Sequence, residues 1–249
     1  MAFNFVTEPL ADEAKRALAP SGTLRAGINL SNSLLVSGKT PDGSPAGVSP
    51  DLARAIAESL NLPVKLVTYQ SPGLLADAAS KDEWDIALIG AEPQRAETIR
   101  FTPAYSQIEA SFLVQPNSAI KTIGEVDKIG TRVAVKDRTA YCLWLERNIK
   151  YAALVLFDGF ESSFSSFLDD KLDALAGLRP KLLEDQKLVP GSKILEGRFT
   201  AVQQAVGVPK AKAAAIGHLS KLIDLARTNG FVADLIRKYG VQGLSVPEA

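Results

Sequence analysis

The sequence predicts an α/β protein with largely parallel sheets, on the basis of three observations. Short β-rich runs alternate with amphipathic helical segments along most of the 249 residues, which is typical of βαβ units with right-handed crossovers. Residues 86–89 form a wholly apolar run, as in strands that are buried on both faces. Hydrophobic residues make up 46% of the chain, enough for a full core in one large domain or in two small lobes.

The first predicted elements are a strand at 24–29 and a helix that follows a long loop. The strand comes directly after a turn-forming Pro-Ser-Gly, and a loop rich in Gly, Pro and Ser spans 31–49. The helix then begins with Ser49 as the N-cap and Pro50 at the first helical position. A hydroxyl accepts a backbone N–H there, and proline has no N–H to leave unpaired. Pro63 ends this helix.

The later elements continue the alternation of strands and helices. Predicted strands lie at 64–68, 86–89, 108–114, 132–135, 153–157, 174–177 and 201–208. Predicted helical segments lie at 74–81, 92–98, 139–150, 161–169, 180–187, 211–228 and 231–239. The segment 101–105 contains Pro103 and two aromatic residues, and it is predicted as a loop. The spacing of Phe160, Phe164, Phe167 and Leu168 predicts a buried helix face.

Two domain organisations agree with this pattern. Extended segments near 106–114 and 201–208 each follow a full set of strands and helices. Two α/β lobes joined by two crossing strands would have this arrangement, and so would a single doubly wound sheet. The residues alone favour neither organisation.

Charge and composition exclude several classes of function. Lys+Arg and Asp+Glu both number 28, so the chain has no net charge to attract nucleic acid or an anionic membrane. No apolar run approaches the roughly 18–20 residues of a membrane-spanning helix. The lone Cys142 excludes an intrachain disulfide and a thiolate zinc cage, and the lone His218 excludes two-histidine metal motifs. We therefore expect no metal, no cofactor and no catalytic triad.

The N-terminal segment leaves two locations open. Residues 1–16 are amphipathic and acidic, and they lack the basic region and apolar run of a secretory signal peptide. We expect a cytoplasmic protein if the chain is native as given, and a periplasmic protein if an export signal has been removed.

Residues 84–105 resemble the signature of a known family. Asp85-Ile-Ala-Leu-Ile-Gly-Ala-Glu-Pro-Gln-Arg95, followed after five residues by Phe101-Thr-Pro-Ala-Tyr105, is similar to the signature of family 3 solute-binding proteins. These proteins are the amino-acid-binding components of ABC importers. Further segments resemble the family in the same order, namely 22–29, 47–57, 118–127, 133–136, 172–174 and 230–240.

The resemblance implies a two-lobed type II periplasmic-binding-protein fold, a Venus flytrap with two hinge strands. Lobe 1 would contain residues 1–107 and 204–249, and lobe 2 would contain residues 108–203. The ligand would lie in the cleft between the lobes, and bending of the hinge strands would bury it. The implied partners are a small carboxylate ligand and an ABC transporter permease, and the family default is a monomer.

Arg95 is the leading ligand-binding candidate. In the family, the arginine six residues before the Phe-Thr/Ser element binds the ligand carboxylate, and Arg95 precedes Phe101 by six. A guanidinium suits this role because its planar donors match a carboxylate bidentately. The alternative is a surface arginine paired with Glu92 or Glu97. Gly90 is a further candidate at the end of the preceding strand.

Glu92 departs from the family, in which a hydroxyl residue usually stands at this position. It would contact a ligand amine, or it would point outward at a helix N-terminus, where a negative charge is favoured.

Three further candidates lie in the first lobe. Asn29 and Asn32 follow the first strand, where open α/β sheets place their ligand crevice. Their alternative role is in turns, since asparagine bonds its own loop. Tyr105 is a candidate aromatic residue of the cleft.

The second lobe contributes four candidates. Thr139 and the helix amides beside it would hold a carboxylate, or Thr139 would simply be the N-cap. Arg138 replaces the glycine that is common in the family, and Tyr141 is a candidate cleft aromatic. Amino-acid binders carry an aspartate for the ligand ammonium where this chain has Leu178, followed by Arg179. The change suggests an acid without an α-amine, unless Arg179 is a solvent-exposed residue at a helix start.

The leading functional hypothesis is a non-catalytic protein that binds a small carboxylate-bearing metabolite, an amino acid or a related organic acid. One alternative is an enzyme similar to cyclohexadienyl dehydratase, in which a buried acid with a raised pKa protonates a leaving hydroxyl. The acids nominated for that role are Glu92, Glu109 and Glu161. A second alternative is a cytosolic metabolite sensor.

Overall fold

The computed structural model describes residues 9–248, and the chain divides into two compact units. Among the described residues, unit 1 contains 9–107 and 203–248, and unit 2 contains 108–202. The chain passes from one unit to the other at 107/108 and at 202/203. Both passages fall inside long strands, which are named below. Residues 1–8, part of the N-terminal segment considered above, lie outside the described residues.

Strands and helices alternate along the described chain. The strands are β1 (Leu24–Asn29), β2 (Gly38–Lys39), β3 (Pro45–Ala46), β4 (Val64–Tyr69), β5 (Ile86–Gly90), β6 (Ile99–Val114), β7 (Arg132–Lys136), β8 (Ala153–Phe157), β9 (Ala174–Leu178), β10 (Lys193–Ile194), β11 (Thr200–Pro209) and β12 (Leu244–Ser245). The α-helices are α1 (Asp12–Leu18), α2 (Val48–Ser59), α3 (Pro72–Asp77), α4 (Ala140–Asn148), α5 (Phe160–Asp169), α6 (Arg179–Leu188), α7 (Ile216–Thr228) and α8 (Phe231–Lys238).

The sheet of unit 1 has the strand order β4-β1-β5-β11. β1 runs parallel to β4 and to β5, and β11 runs antiparallel to β5. Because β1 and β5 are parallel, their carboxyl ends reach the same edge of the sheet, at Asn29 and Gly90. The strongly apolar β5 is buried along its whole length, as the unbroken hydrophobic run at 86–89 indicates.

The sheet of unit 2 has the order β6-β9-β7-β8, with β10 on the other side of β6. β7 runs parallel to β8 and β9, whereas β9 runs antiparallel to β6 with Ala110 opposite Leu178. The carboxyl ends of β7 and β9 therefore lie at one edge, beside the residue of β6 that precedes Ala110. The chain enters unit 2 at this edge.

Unit 2 has a core on each face of its sheet. Phe112 and Val133 pack on one face with Tyr141 of α4, and Leu113 and Ala134 pack on the other face. Neighbouring residues of a strand thus serve opposite faces, as the two-residue period requires. The predicted helix face of α5 is confirmed: Phe167 is fully buried, and Phe160, Phe164 and Leu168 pack partly buried against the cores.

The segment 101–105 is part of β6 rather than the predicted loop. Proline cannot donate a ladder hydrogen bond, and a threonine beside it accommodates the irregularity. Oγ1 of Thr102 accepts the backbone N–H of Val206 in β11 at 3.2 Å and donates to the carbonyl of Pro103 at 2.8 Å. The amide of Val206 therefore has a side-chain hydroxyl as its acceptor instead of a backbone carbonyl. The turn-like composition of 101–105 does not predict this pairing.

Ser49 is not the N-cap of α2, contrary to the sequence-based prediction. The helix begins at Val48 with Gly47 as its N-cap. The hydroxyl of Ser49 instead forms a hydrogen bond with the hydroxyl of Tyr105 at 2.9 Å, and both side chains are buried. The tertiary partner on β6 explains the serine better than a capping role does.

Other differences concern short or tight elements. The hairpin of β2 and β3 lies inside the predicted loop 31–49, and α1, β10 and β12 were not predicted. Turns of 3₁₀ helix occupy Ala78–Lys81, Arg95–Glu97 and Lys210–Ala215, where longer helical segments were expected. Such short pieces carry too few periodic residues to be detected from sequence.

A buried carboxylate joins three elements of unit 1 at the amino end of its sheet. Asp85 is fully buried, and its Oδ2 accepts the backbone N–H of Arg25 at 2.7 Å. Its Oδ1 is bound by Nη2 of Arg25 at 2.7 Å and by Nζ of Lys212. Lys212 also contacts Asp82 at 2.6 Å, and the lysine hydrogen bond lowers the pKa of Asp82. The start of β1, the start of β5 and the turn after β11 are thereby tied together.

Replacing Asp85 with asparagine is expected to destabilise the protein by about 3 kcal/mol, because two cations lose their buried counter-charge. Urea unfolding would measure the change in the free energy of unfolding. Asp234→Asn is the matched control, since it breaks an exposed pair with Arg237 at 2.7 Å and should cost less than about 1 kcal/mol. Equal losses for the two variants would contradict the structural role of Asp85.

Candidate functional site

The edge of unit 1 that holds Asn29 and Gly90 is also where the chain leaves this unit. Gly90 at the end of β5 pairs with Gln204 of β11, and the next amide, of Ala91, donates to the carbonyl of Gln203 at 2.8 Å. Nε2 of Gln203 donates to Oε1 of Gln107 at 3.0 Å. Gln107 and Gln203 are the unit 1 residues at the two passages, so this hydrogen bond lies beside both of them.

Arg95 lies at this edge of unit 1, and its position agrees with the leading candidate role. It begins the 3₁₀ turn after β5, and only 5% of its surface is exposed. Its Nη1 donates to the carbonyl of Gly90 at 2.7 Å, which holds the guanidinium against the end of β5. This burial does not agree with the surface position in the alternative of a surface arginine paired with Glu92 or Glu97, whereas the pairing itself stays a prediction. Since a guanidinium stays charged and is costly to desolvate, such a position suits recognition of a carboxylate.

Glu92 lies on the same turn and is also buried, with 7% of its surface exposed. Its carbonyl accepts the amide of Ala96 at 2.9 Å, so the backbone of Glu92 closes the turn that carries Arg95. The alternative that Glu92 points outward into solvent does not agree with this burial.

Asn29 and Asn32 build turns at the same edge. Oδ1 of Asn29 accepts the amide and the hydroxyl of Ser31 at 3.1 and 2.8 Å. Oδ1 of Asn32 accepts the amide of Leu34 at 3.2 Å. The turn role considered from sequence accounts for these contacts. Both side chains are half-buried, and contact with a ligand stays a prediction.

Tyr105 and Tyr141 are core residues in this structure. Tyr105 is fully buried against Ser49, and Tyr141 is 3% exposed within the core of unit 2. Burial raises the pKa of both phenols above the ordinary value. Packing explains both residues, so we do not include them in the proposed site.

The corresponding edge of unit 2 contains the start of α4. Thr139 is the N-cap: its Oγ1 accepts the amide of Cys142 at 3.2 Å and donates to the carbonyl of Lys136 at 2.9 Å. Arg138, the residue before it, has a φ of 57°, the left-handed conformation that glycine adopts without steric cost. This conformation gives a physical reason for the glycine that is common here in the family.

Arg179 lies at the same edge, in a cluster of three charged side chains. Its Nε donates to Oε2 of Glu109 at 3.0 Å, and Nη1 of Arg198 donates to Oε1 of Glu109 at 3.1 Å. Nη2 of Arg179 donates to the carbonyl of Gly197. Arg179 is therefore ordered by partners within unit 2, and it is not a freely solvated residue at a helix start.

Sequence reasoning missed Arg198 and gave Glu109 a different role. Nothing in the sequence around Arg198 marks it, because it lies in a short loop before β11. Arg198 lies next to Glu109 because the amide of Phe199 donates to the carbonyl of Ala110 at 3.1 Å. Arg179 reaches Glu109 because β9 pairs with β6 and places Leu178 opposite Ala110. The proximity of these side chains follows from the pairing of strands and loops that are distant in the chain, and no local sequence pattern predicts it.

Three side chains that could ligate a metal lie close together within residues 9–248. Asp137, Cys142 and Glu146 offer ligand atoms within 4.8 Å of one another. Glu146 is exposed, and exposed acidic side chains commonly lie together without an ion. We assign no metal to this group. In the same part of the chain, no helix is long and apolar enough to span a membrane.

Comparison with known families defines the class of protein. The chain matches the family described as "Bacterial extracellular solute-binding proteins, family 3" over residues 25–242. The match covers most of the chain, and the protein therefore belongs to this family of solute-binding proteins. A search of curated proteins finds no match.

Solved structures show the same fold. A mutant of ArgBP from T. maritima is 20% identical to this chain, with a TM-score of 0.70. The match covers 91% of this chain and 99% of the ArgBP chain. An amino acid ABC transporter substrate-binding protein from Streptococcus pneumoniae, bound to L-arginine, is 18% identical with a TM-score of 0.71 and coverages of 94% and 99%. The ancestral amino acid-binding protein AncCDT-1, a precursor of cyclohexadienyl dehydratase, is 20% identical with a TM-score of 0.71 and coverages of 90% and 98%. The expected type II periplasmic-binding-protein fold is confirmed.

Proposed function

We propose that this solute-binding protein captures a small carboxylate-bearing solute for an ABC importer and does not convert it chemically. The observation that carries the proposal is Arg95, a buried guanidinium fixed by the carbonyl of Gly90 at the carboxyl edge of the unit 1 sheet. In such a position a bidentate hydrogen bond to a carboxylate is little weakened by water.

The two compact units would serve as the two lobes of this binding protein. The lobe boundaries expected from sequence, at 107/108 and 203/204, lie close to the passages at 107/108 and 202/203. β6 and β11, which carry the chain through those passages, would act as the hinge strands. Arg95 of unit 1 and Arg179 of unit 2 each lie at the sheet edge of their own unit that is next to the passages.

The ligand class is supported by the family and by the named neighbours. A binding protein from Wolinella succinogenes is described as complexed with lysine, and the S. pneumoniae protein as bound to L-arginine. All amino acids share a carboxylate, which is the group that Arg95 would bind. A monomer outside the cytoplasm, presenting its ligand to a permease, is the arrangement that agrees with an extracellular family.

Catalysis like that of a dehydratase is the second candidate, and the neighbour described as a precursor of that enzyme is the reason to consider it. The nominated acids give it little support. Glu161 is exposed on α5, and both oxygens of Glu109 accept hydrogen bonds from arginines, so neither oxygen is placed to donate a proton. Glu92 is the one nominated acid that is buried.

A thermal-shift screen against amino acids, dicarboxylates, keto acids and prephenate tests the proposal. A ligand with micromolar affinity at millimolar concentration adds about 4 kcal/mol of stability. For a chain of this length the melting temperature should then rise on the order of 10 °C. The amide or methyl ester of the same compound should give no comparable shift. If no acid shifts the melting temperature, carboxylate capture is contradicted.

A further inference from the structure

The strand at one end of the unit 2 sheet has an open edge. In the order β6-β9-β7-β8, β8 is the terminal strand, and among residues 9–248 it pairs with β7 alone. A terminal strand presents a row of backbone N–H and C=O groups, on which another strand can add to the sheet.

Two residues of β8 direct their backbone groups away from the sheet. The amide of Ala153 and the carbonyl of Phe157 bond to the residues that immediately precede and follow β7, at 2.8 and 2.7 Å. In a parallel pair, every second residue of a strand faces its neighbour in this way. The N–H and C=O groups of Leu154 and Leu156 therefore point outward.

The composition of β8 leaves this edge unprotected. The strand is Ala-Leu-Val-Leu-Phe, without a charged residue, proline or glycine, and 46% of Leu156 is exposed. β4, the terminal strand of the unit 1 sheet, differs because the side chains of Lys65 and Thr68 are exposed along it. Proteins commonly use a lysine on an edge strand to prevent pairing with another chain. The edge of β8 lacks this protection.

Pairing of β8 with β8 of a second copy is self-complementary. When Val155 of both copies lies on a twofold axis, an antiparallel arrangement places Leu154 opposite Leu156 of the second copy, and Leu156 opposite Leu154. Each of these two pairs exchanges both of its N–H···O=C hydrogen bonds, which gives about four bonds in all. The contact is isologous, so one surface of the chain supplies both sides of it.

The side chains agree with the same register. Leu154 and Leu156 lie on one face of the sheet, where Leu154 packs against the core of unit 2. Across the axis, the exposed part of Leu156 would pack against Leu154 of the second copy, and apolar cross-strand pairs of this kind stabilise sheets.

The charges that flank β8 favour the antiparallel direction. Lys150 lies three residues before the strand and Asp158 directly after it, and both are exposed. Antiparallel pairing brings the lysine of each copy towards the aspartate of the other, whereas parallel pairing would bring like charges together. The two ends of the strand are therefore complementary in charge to those of a second copy.

We propose that this protein forms a weak homodimer through β8, in which the unit 2 sheets of two copies join into one continuous sheet. β9 and β7 separate β8 from β6, the strand through which the chain enters unit 2. A strand of five residues offers a small contact, typical of transient interfaces, with a dissociation constant on the order of 10–100 µM. The monomer proposed above is then the form present at low concentration.

Sedimentation velocity at protein concentrations from about 1 to about 300 µM tests the dimer. The wild type should pass from monomer to dimer over this range. Leu156→Lys should raise the dissociation constant at least about 10-fold, because it places a charge at the contact in both copies. Leu183→Lys is the matched control, since Leu183 on α6 is 48% exposed and lies outside β8. It should dimerise like the wild type.

Hydrogen exchange of the wild-type protein identifies the contact without a substitution. The amides of Leu154 and Leu156 should exchange rapidly in dilute protein and slowly in concentrated protein. The amides of Val155 and Phe157, which face β7, should exchange slowly in both. A monomer at every concentration, equal weakening by the two lysine variants, or a dimer in which exchange at Leu154 and Leu156 does not depend on concentration would overturn the proposal.

Discussion

Replacing Arg95 with lysine should weaken ligand binding roughly 100-fold, although the charge of the side chain is unchanged. Lysine presents a single ammonium and lacks the planar fork that binds a carboxylate bidentately. The carbonyl of Gly90, which now orders the guanidinium at 2.7 Å, would also lose its partner. Altering one partner of a buried, hydrogen-bonded charge pair costs about 3 kcal/mol of binding free energy. This corresponds to a loss of affinity of roughly 100-fold. Titration of the solute identified in the screen would measure the change.

Arg100→Lys is the control for this experiment. Arg100 is five residues away and exposed on β6, so the same substitution should leave affinity unchanged. Both variants should retain the wild-type circular dichroism spectrum. If Arg95→Lys binds the solute as tightly as Arg100→Lys does, the assignment of Arg95 to the carboxylate is wrong.

Replacing Gly47 with alanine should destabilise the protein by about 4 kcal/mol. Gly47 has a φ of 146° and a ψ of −176°, a backbone region that is essentially restricted to glycine. A Cβ there would lie 2.4 Å from the carbonyl oxygen of Leu35 and 2.9 Å from the amide nitrogen of Ser37. Backbone strain and steric overlap would each contribute about 2 kcal/mol.

Gly43→Ala separates these two contributions. Gly43 also has a positive φ, of 84°, but a Cβ there meets no atom within 4 Å. Its replacement should cost about 1 kcal/mol, from backbone conformation alone. Urea unfolding of both variants gives the comparison, and equal losses would show that the close approach of the 35–37 backbone to Gly47 is not rigid.

Much of the fold could be predicted from sequence because its signals are local. The strand 24–29 and the strand 153–157 have the predicted bounds, since each is a short β-type run that local sequence delimits. The segment 101–105 could not be predicted, because Pro103 is typical of a loop, whereas the pairing that places Thr102 beside β11 is a long-range contact: Oγ1 of Thr102 accepts the backbone N–H of Val206. Ser49 was misinterpreted for a related reason: its partner, Tyr105, lies 56 positions away in the chain.

Some residues of the candidate site are predicted by a local motif, and others are brought together only by long-range contacts. The position of Arg95 follows from a motif within one turn of a strand end, and the structure adds its burial and its hydrogen bond to the carbonyl of Gly90. The arginine pair around Glu109 depends on the register of β6 with β9 and on the loop before β11. Neither the strand register nor the position of the loop is encoded in a local pattern. Sequence reasoning found Arg179 because it follows Leu178, where the family has an aspartate, and it missed Arg198.

The measurement that tests carboxylate capture most directly is a calorimetric titration followed by recovery of the ligand and mass analysis. If the protein binds an acid without converting it, one equivalent of the solute should bind with micromolar or tighter affinity. The recovered solute should have an unchanged mass after prolonged incubation, and Arg95→Lys should abolish most of the heat. Conversion of the bound acid to a product, or tight binding that survives in Arg95→Lys, would contradict the account.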